Sequence, residues 1–449
     1  MRTQSLLLFF ISIVTFSSCS GKLNKGSENS IQKRYVVSAD ADHSYEVYLP
    51  SGYDSTKTYP AIFSFDSHGN GSVAIANFKK AADTYGFILV GSNLIRNGIN
   101  DYEKHISLLI DDAKNRFKID ARAMYTAGFS GGARMANYYG LKNQLTGIIS
   151  CGAGFKVADI KSTGVSLYVF NIAGTRDCNF SETAYMPGSN ESHENNYITT
   201  NFTGIHEWPT ISAMSEAVAF MYARLVIDKI RDAGNVSISD LVDEKKSEID
   251  SLKKTNNKIA LYKKLETAAK MFAGTSDGTE FESQMKSIEE DKAFIESLNS
   301  KEQILQMEGM LDQGYVGAMG SESLTWWTTE LKALNDSLQN GKNPDMKDMM
   351  FRAKAYIGMA CFSFTGNAAK KKDIPQLEKM LTIYQMVEPK NPDVFYYKSL
   401  YSLLKNQKDS VFANMKKAYE LGFEDSVRIR ADFPAEMVSQ IIQLAPQHR

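Results

Sequence analysis

Ile119-Asp120-Ala121-Arg122-Ala123-Met124-Tyr125-Thr126-Ala127-Gly128-Phe129-Ser130-Gly131-Gly132 is the stretch that decides how the rest of the chain is read. Met124–Ala127 is a short apolar and β-branched run that predicts a strand, and Ala133-Arg134-Met135-Ala136 opens a helix. Gly128-Phe129-Ser130-Gly131-Gly132 is therefore a G-x-S-x-G sequence at a strand-to-helix junction. So sharp a turn strains the backbone of the central serine, and side chains two residues before and two after it would collide. Gly128 and Gly132 remove both side chains. The bare pattern arises often by chance, so its neighbours must carry the argument.

Outward from this turn, short β-branched and aromatic runs alternate with amphipathic helical lengths from about Arg34 to Ala223. Strands are predicted at Tyr45–Leu49, Ala61–Phe65, Phe87–Gly91, Met124–Ala127, Gly147–Ser150, Leu167–Ile172 and Ile198–Phe202. Helices are predicted at Ala74–Tyr85, Tyr102–Phe117, Ala133–Lys142 and Ile211–Ala233. Runs such as Gly86-Phe87-Ile88-Leu89-Val90 are apolar throughout, as parallel strands covered by helices on both faces must be. The expected class is α/β, a doubly wound and mostly parallel sheet over residues 34–233.

From about Asn235 strand signals vanish, and helices are expected to the C-terminus, giving an all-α domain over 235–449. Its clearest pair lies in Pro392–Phe423, where Phe395, Ser399 and Leu403 mark one helix and Val411, Met415 and Ala418 the next. Asp345–Phe364 with Ile374–Val387 is a candidate preceding pair, separated by an insert at Thr365–Asp373. Ile259–Phe272, Phe281–Leu298 and Leu324–Leu338 are further helices, and a plain bundle stays open as the arrangement.

A serine hydroxyl needs an imidazole to take its proton and an acid to orient that imidazole. His206 directly follows the last predicted strand, in Thr203-Gly204-Ile205-His206-Glu207-Trp208-Pro209, where a loop can carry it over the carboxyl edge of the sheet. His193 sits in a polar run, and His448 is penultimate. Leu167–Ile172 leads into Ala173-Gly174-Thr175-Arg176-Asp177, which makes Asp177 the acid and Glu182 its substitute. An oxyanion needs two backbone N–H donors, one of them from the residue after the nucleophile, Gly131. The second is expected from Asn70, with Gly69 next, in the loop Asp66-Ser67-His68-Gly69-Asn70-Gly71. His68 precedes the serine and is expected to shape that loop. Phosphate loops, metal-binding clusters and dinucleotide fingerprints are not found in the sequence.

With these residues assigned, roughly Tyr45 to Tyr222 resembles α/β-hydrolases of the polyhydroxybutyrate depolymerase and feruloyl esterase type. The resemblance is carried by Ile119–Gly132, by His68-Gly69, by Gly174-Thr175-Arg176-Asp177 and by His206. It implies an α/β-hydrolase sheet and hydrolysis of carboxylic esters by Ser130, His206 and Asp177, without need of a metal or organic cofactor. Two features depart from the pattern: Phe65-Asp66-Ser67 replaces the usual apolar approach to His-Gly, and Cys178 follows the acid. Pro392–Phe423 in turn resembles one tetratricopeptide (TPR) repeat unit, which implies a TPR-like helical domain with a surface for a protein partner.

Arg2, the apolar run Leu6–Phe16 and Ser17-Ser18 before Cys19 resemble the signal peptide of a bacterial lipoprotein. That resemblance implies removal of the leader, lipidation of Cys19 and a place in the bacterial cell envelope, periplasmic or at the cell surface. The apolar run is shorter than the roughly 20 residues of a membrane-spanning helix, and the polar, Gly/Ser-containing residues 20–33 suit a flexible tether. Membrane contact is thus expected through the lipid anchor only. Lys plus Arg number 51 against 52 Asp plus Glu, so no net field draws in nucleic acid. Cys151, Cys178 and Cys361 are too few and scattered for a disulfide scaffold, although Cys151 and Cys178 follow neighbouring strands, where a bond stays open. The segment between Ser150 and Leu167 is too short for a cap domain, which favours an ester on a large molecule, polymeric or carbohydrate-linked. The expected function is an envelope-anchored serine esterase. The alternative is a non-catalytic lipoprotein scaffold that binds a protein through its helices.

Overall fold

The computed structural model describes residues 31–154, 167–183 and 196–446. Residues 1–30, with Cys19, and the histidines His193 and His448 lie outside the described residues. Strand β1, Ile31–Val37, pairs antiparallel with β2, Asp40–Leu49, placing Lys33 opposite Val47. Residues 31–33, expected in the tether, therefore belong to the sheet. The exposed Gln32, Lys33 and Arg34 disguise the strand, and charged cover is what an unpaired sheet edge requires.

Strands β3 (Tyr59–Phe65), β4 (Ile88–Ser92), β5 (Ile119–Phe129), β6 (Gly147–Cys151), β7 (Tyr168–Gly174) and β8 (Tyr197–Phe202) complete one eight-stranded sheet. Its order is β1-β2-β4-β3-β5-β6-β7-β8. Only the β1–β2 and β2–β4 pairs are antiparallel. Every residue of β3, β4 and β6 is buried, which accounts for their unbroken apolar sequences. The connections hold α1 (Gly71–Ala76), α2 (Lys79–Tyr85), α3 (Tyr102–Arg116), α4 (Gly131–Lys142), α5 (Phe180–Thr183) and α6 (Ile211–Ile227). The one helix expected over Ala74–Tyr85 is two, because Asn77 leaves the helix to donate from Nδ2 to the Pro209 carbonyl at 2.8 Å.

Beyond α6 every described element is helical: α7 (Ile238–Lys253), α8 (Lys258–Met271), α9 (Ser276–Glu289), α10 (Lys292–Ser321), α11 (Leu324–Asn340) and α12 (Pro344–Lys371). Then follow α13 (Ile374–Val387), α14 (Pro392–Leu404), α15 (Lys408–Glu420), α16 (Ser426–Asp432) and α17 (Ala435–Gln443). The helix expected over Phe281–Leu298 is cut at Asp291, whose carboxylate caps α10 by accepting from the Ala293 and Phe294 N–H groups. Thr365–Asp373 is not an insert: α12 runs through it to Lys371, burying Thr365 and Ala368 on its inner face. At the α14–α15 crossing, the small side chain of Ser399 is buried and donates from Oγ to the Val411 carbonyl at 2.9 Å. Among the described residues no helix is long and apolar enough to cross a membrane, and Cys151, Cys178 and Cys361 are free thiols.

Packing explains where the sequence changes character and where it does not. One apolar core joins Phe87, Tyr125 and Phe170 of the sheet to Phe220 of α6, then continues through Leu241, Tyr262, Phe281 and Phe294. Helices α7 to α9 thus complete the same core as the sheet, while a second core, from Tyr315 to Ile441, holds α10 to α17 together. Helix α6 is buried nearly all round, as a helix enclosed between two layers must be. Helix α8 also closes the open edge of the sheet: buried Lys270 donates to the Tyr197 carbonyl at 2.7 Å, and Lys263 to Asn201 Oδ1 at 2.9 Å. A fragment ending at Gly234 should therefore expose the outer face of α6 and the flank of β8. It is expected to bind a hydrophobic dye and melt well below a fragment ending at Ser321. Equal melting temperatures for the two fragments would show that the sheet's core is already closed at Gly234.

Candidate active site

Strand β5 ends at Phe129 and α4 begins at Gly131, leaving Ser130 between them at φ 54° and ψ −120°. A non-glycine residue holds such a conformation only when its surroundings impose it. The Ser130 N–H donates to the Cys151 carbonyl at 2.9 Å, and the Ser130 carbonyl accepts from Arg134 at 3.1 Å as the first turn of α4 closes. A Cβ on Gly128 would lie 2.5 Å from the Gly132 backbone, and one on Gly132 would overlap the Phe65 carbonyl. Both glycines are where the collisions would be.

The hydroxyl of Ser130 lies 2.9 Å from His206 Nε2, and His206 Nδ1 lies 2.8 Å from Asp177 Oδ1. Strand β7 delivers Asp177 through a loop that is tied to the one bearing His206. The Thr175 N–H donates to the Phe202 carbonyl and the Arg176 N–H to the Gly204 carbonyl, each at 2.9 Å. Asp177 is fully buried, and its Oδ1 also accepts the Asn179 N–H at 2.8 Å. Glu182 is turned elsewhere, towards Arg134 at 2.9 Å and the Gly154 N–H at 3.1 Å. Burial pushes the neighbouring Cys178 thiol up to about 12, so it stays protonated near neutral pH.

Two residues that sequence reasoning missed brace the imidazole. The Phe129 ring packs 4.6 Å from that of His206, and Trp208 packs 5.6 Å from Phe129. Trp208 in turn donates from Nε1 to Asp66 Oδ1 at 3.0 Å, while Asp66 Oδ2 accepts the His68 N–H at 2.8 Å. Burial alone would raise the Asp66 carboxyl, but hydrogen bonds from His68 and Trp208 outweigh it and hold the group below the ordinary carboxylate range. The departure at Asp66 is thus a bracket that fastens the loop after β3 to the loop after β8. A single Trp two residues beyond the histidine was the signal available in sequence.

His68 itself extends into solvent from that loop. Asn70 caps α1, its Oδ1 accepting the Val73 N–H at 3.2 Å. Gly131 holds the first helical position of α4, where backbone N–H groups have no partner within the helix. Asn97, also unforeseen, lies against it: a Cβ on Gly131 would overlap Asn97 Oδ1, and the Asn97 N–H donates to the Ser67 carbonyl at 2.9 Å.

The helical region reaches the acid loop directly. Arg352 on α12 donates from Nη1 to the Thr175 carbonyl at 2.7 Å, stands 4.4 Å over the Phe180 ring, and pairs through Nε with Glu308 of α10 at 2.7 Å. Arg176 donates to Asp348 of α12 at 2.6 Å and lies 4.5 Å over Phe351. Asp177 is therefore flanked on both sides by residues gripped from α12. Because Arg352 and Glu308 are both buried, Arg352→Ala strands a carboxylate and should cost about 3–5 kcal/mol of stability. Denaturant titration checks this, and a loss under ~1 kcal/mol would show that the grip is dispensable.

Close by, burial first and repulsion from Glu308 second push the Asp312 carboxyl from 3.8 up to about 7, against the pull of Arg352. The folded state thus keeps a proton that the unfolded chain releases. The stability linked to this group is fully present below about pH 4 and is lost as pH rises through about 7. Asp312→Asn should remove that part of the pH dependence and melt above wild type at pH 8. A wild-type melting temperature whose change from pH 4.5 to 8 matches that of the variant would refute the assignment.

No protein-family model matches the chain, and no match is found among curated proteins. Among solved structures the chain is similar to FphF, a fluorophosphonate-binding serine hydrolase of Staphylococcus aureus, at 11% identity and TM-score 0.37, over 43% of this chain and 98% of that one. It is similar to the feruloyl esterase module from Clostridium thermocellum at 16% identity and TM-score 0.35, over 44% of this chain and 89% of that one. An S-formylglutathione hydrolase from Agrobacterium tumefaciens shares 12% identity at TM-score 0.35, over 45% of this chain and 98% of that one.

Proposed function

We propose that this chain is a serine hydrolase of the α/β-hydrolase type that cleaves carboxylic esters. One observation carries the reading: Ser130 Oγ, the His206 ring and the Asp177 carboxylate form an unbroken hydrogen-bonded line, with the serine held in strained backbone at the carboxyl edge of the sheet. Ser130 Oγ attacks the carbonyl carbon as its proton passes to His206 Nε2, while Asp177 accepts from Nδ1–H and fixes the tautomer. Backbone N–H groups of Gly131 and Asn70 receive the oxyanion. Its collapse breaks the bond to the alcohol oxygen, which leaves with the proton from His206. Water then repeats the sequence on the acyl-serine and releases the acid.

The substrate is an ester on a large molecule, polymeric or carbohydrate-linked, a reading supported by the link from β6 to β7, which is too short to form a cap domain. Residues 1–19 act as a lipoprotein signal with Cys19 lipidated, which places the enzyme in the cell envelope. The paired helices α14 and α15, with Ser399 at their crossing, support a TPR-like arrangement that offers its surface to a protein partner.

An organophosphonate probe tests the chemistry, since it reacts only with a serine that has both an activating base and an oxyanion site. Wild type should label at Ser130 alone, with no labelling in Ser130→Ala and strongly reduced labelling in His206→Ala. Asp177→Asn should label far more slowly, by up to about ten-thousandfold if tautomer control is as important as in serine proteases. Folded wild type that takes up no probe, or labels equally well without His206, leaves the scaffold as the function of the chain.

A further inference from the structure

Where α8 runs along the open edge of β8, a cavity of about 550 Å³ lies between that edge, α10 and α12. Its size is that of a small-molecule pocket. Thr175 of the acid loop lines it, with Thr200, Asn201 and Thr203 from β8 and the turn that follows. Ser130, Asp177 and His206 are not in its wall, so it stands apart from the proposed reacting groups. The strand adds a polar group of its own. Tyr197 turns its carbonyl outward to Lys270, and Asn201, in the same phase of the strand, likewise turns its N–H away from β7.

Among the described residues, the charged groups of the wall are paired with one exception. Lys264 faces Glu216 and Glu248, Lys301 pairs with Asp345 at 2.8 Å, Arg352 with Glu308, and Asp348 with Arg176. Lys263 makes no ion pair: its ammonium donates to Asn201 Oδ1, a neutral acceptor, at 2.9 Å. Burial lowers its pKa from 10.5 to about 8, against the pull of Glu266 on its own helix and aided by repulsion from Lys301 on α10. At pH 7 the wall thus holds one positive charge in excess, on a group with donors left unused. Ile259, Ile304 and Leu305 give the same cavity an apolar side.

We propose that this cavity binds a small carboxylate with an apolar body, its anionic end on the Lys263 ammonium and the Asn201 N–H, its body against Ile259, Ile304 and Leu305. A monoanion matches the excess charge. A neutral occupant would leave the ammonium buried without a counter-ion, and a cation would add a second charge beside it. The occupant joins β8, α8 and α10 at a wall that includes Thr175, whose carbonyl Arg352 holds from α12. It is an effector site set behind the acid loop, and its binding stands whether or not Ser130 is a nucleophile.

Octanoate titrated into the full chain tests the site, read by calorimetry and melting temperature, with 1-octanol and octylamine as probes of the same body. At pH 7 one octanoate should bind per chain and raise the melting temperature, and both other probes should bind at least about tenfold more weakly. Because the anion favours charged Lys263, affinity should fall about tenfold from pH 7 to pH 9 as that group deprotonates through about 8. Lys263→Met should weaken octanoate binding about tenfold or more at pH 7 and abolish this pH dependence. Ala260→Phe, at a half-buried position in the wall, keeps Lys263 but fills the space, and should also weaken binding. Circular dichroism confirms that both variants fold, and the wild-type pH dependence needs neither. Absence of saturable octanoate binding in wild type, or octanol bound as tightly as octanoate, overturns the proposal. So does affinity unchanged in both variants, the result that binding confined to the Ser130 site would give.

Discussion

The backbone of Ser130 is the constraint that the surrounding structure serves. A serine at φ 54° and ψ −120° relaxes unless it is held, and what holds it is the abrupt passage from β5 into α4. That passage needs contact distances which only glycine tolerates at positions 128 and 132, and it presses the loop after β3 against the elbow through the Phe65 carbonyl. It also hangs the Ser130 N–H on the end of β6. Three strand ends thus converge on one residue. Asp177 and His206 arrive from the next two strands along the same edge, so the order of the sheet sets the order of the reacting groups.

What the sequence made legible were the features written in adjacent residues. Gly128 to Gly132 announce their turn because the requirement is local. Asp177 and His206 could be chosen because each follows the end of an apolar run, and a strand end fixes position without knowledge of the fold. Arg352 and Asn97 were invisible because each works through a partner far away in the chain, and nothing in its own neighbourhood marks it; the Asp66–Trp208 bracket showed only as two separate marks, an unusual Asp66 and a Trp just after the histidine, with nothing to join them. Strand β1 was hidden by its solvent-facing charges, and the continuity of α12 by polar residues between Thr365 and Asp373 that read as a loop.

The change of composition near Asn235 marks a change of secondary structure, while the apolar core crosses it. Helices α7 to α9 lie on the sheet's own core, and α12, braced by Glu308 of α10, reaches beyond it to the loop that presents Asp177. The helical half is therefore continuous with the half that bears Ser130 in two ways, through apolar packing and through a buried ion pair whose arginine spends a further donor on the loop before Asp177. A polar grip of this kind adds direction to what apolar packing alone would leave loosely specified.

That grip also has a meaning in time. Arg176 reaches Asp348 across 172 residues, and Arg352 reaches Thr175 across 177. A chain is made and begins to fold from its N-terminus, and contacts between such distant residues form late because a long loop must close first. The strands, the elbow and the serine can take shape while α12 is still unmade, but the loop that presents Asp177 gains its clamp only once residues 348–352 have been made. Under the proposed chemistry, the nascent chain carries its nucleophile in a disarmed state. The helices then act as a delay, fixing the loop before Asp177 only after the serine is in place.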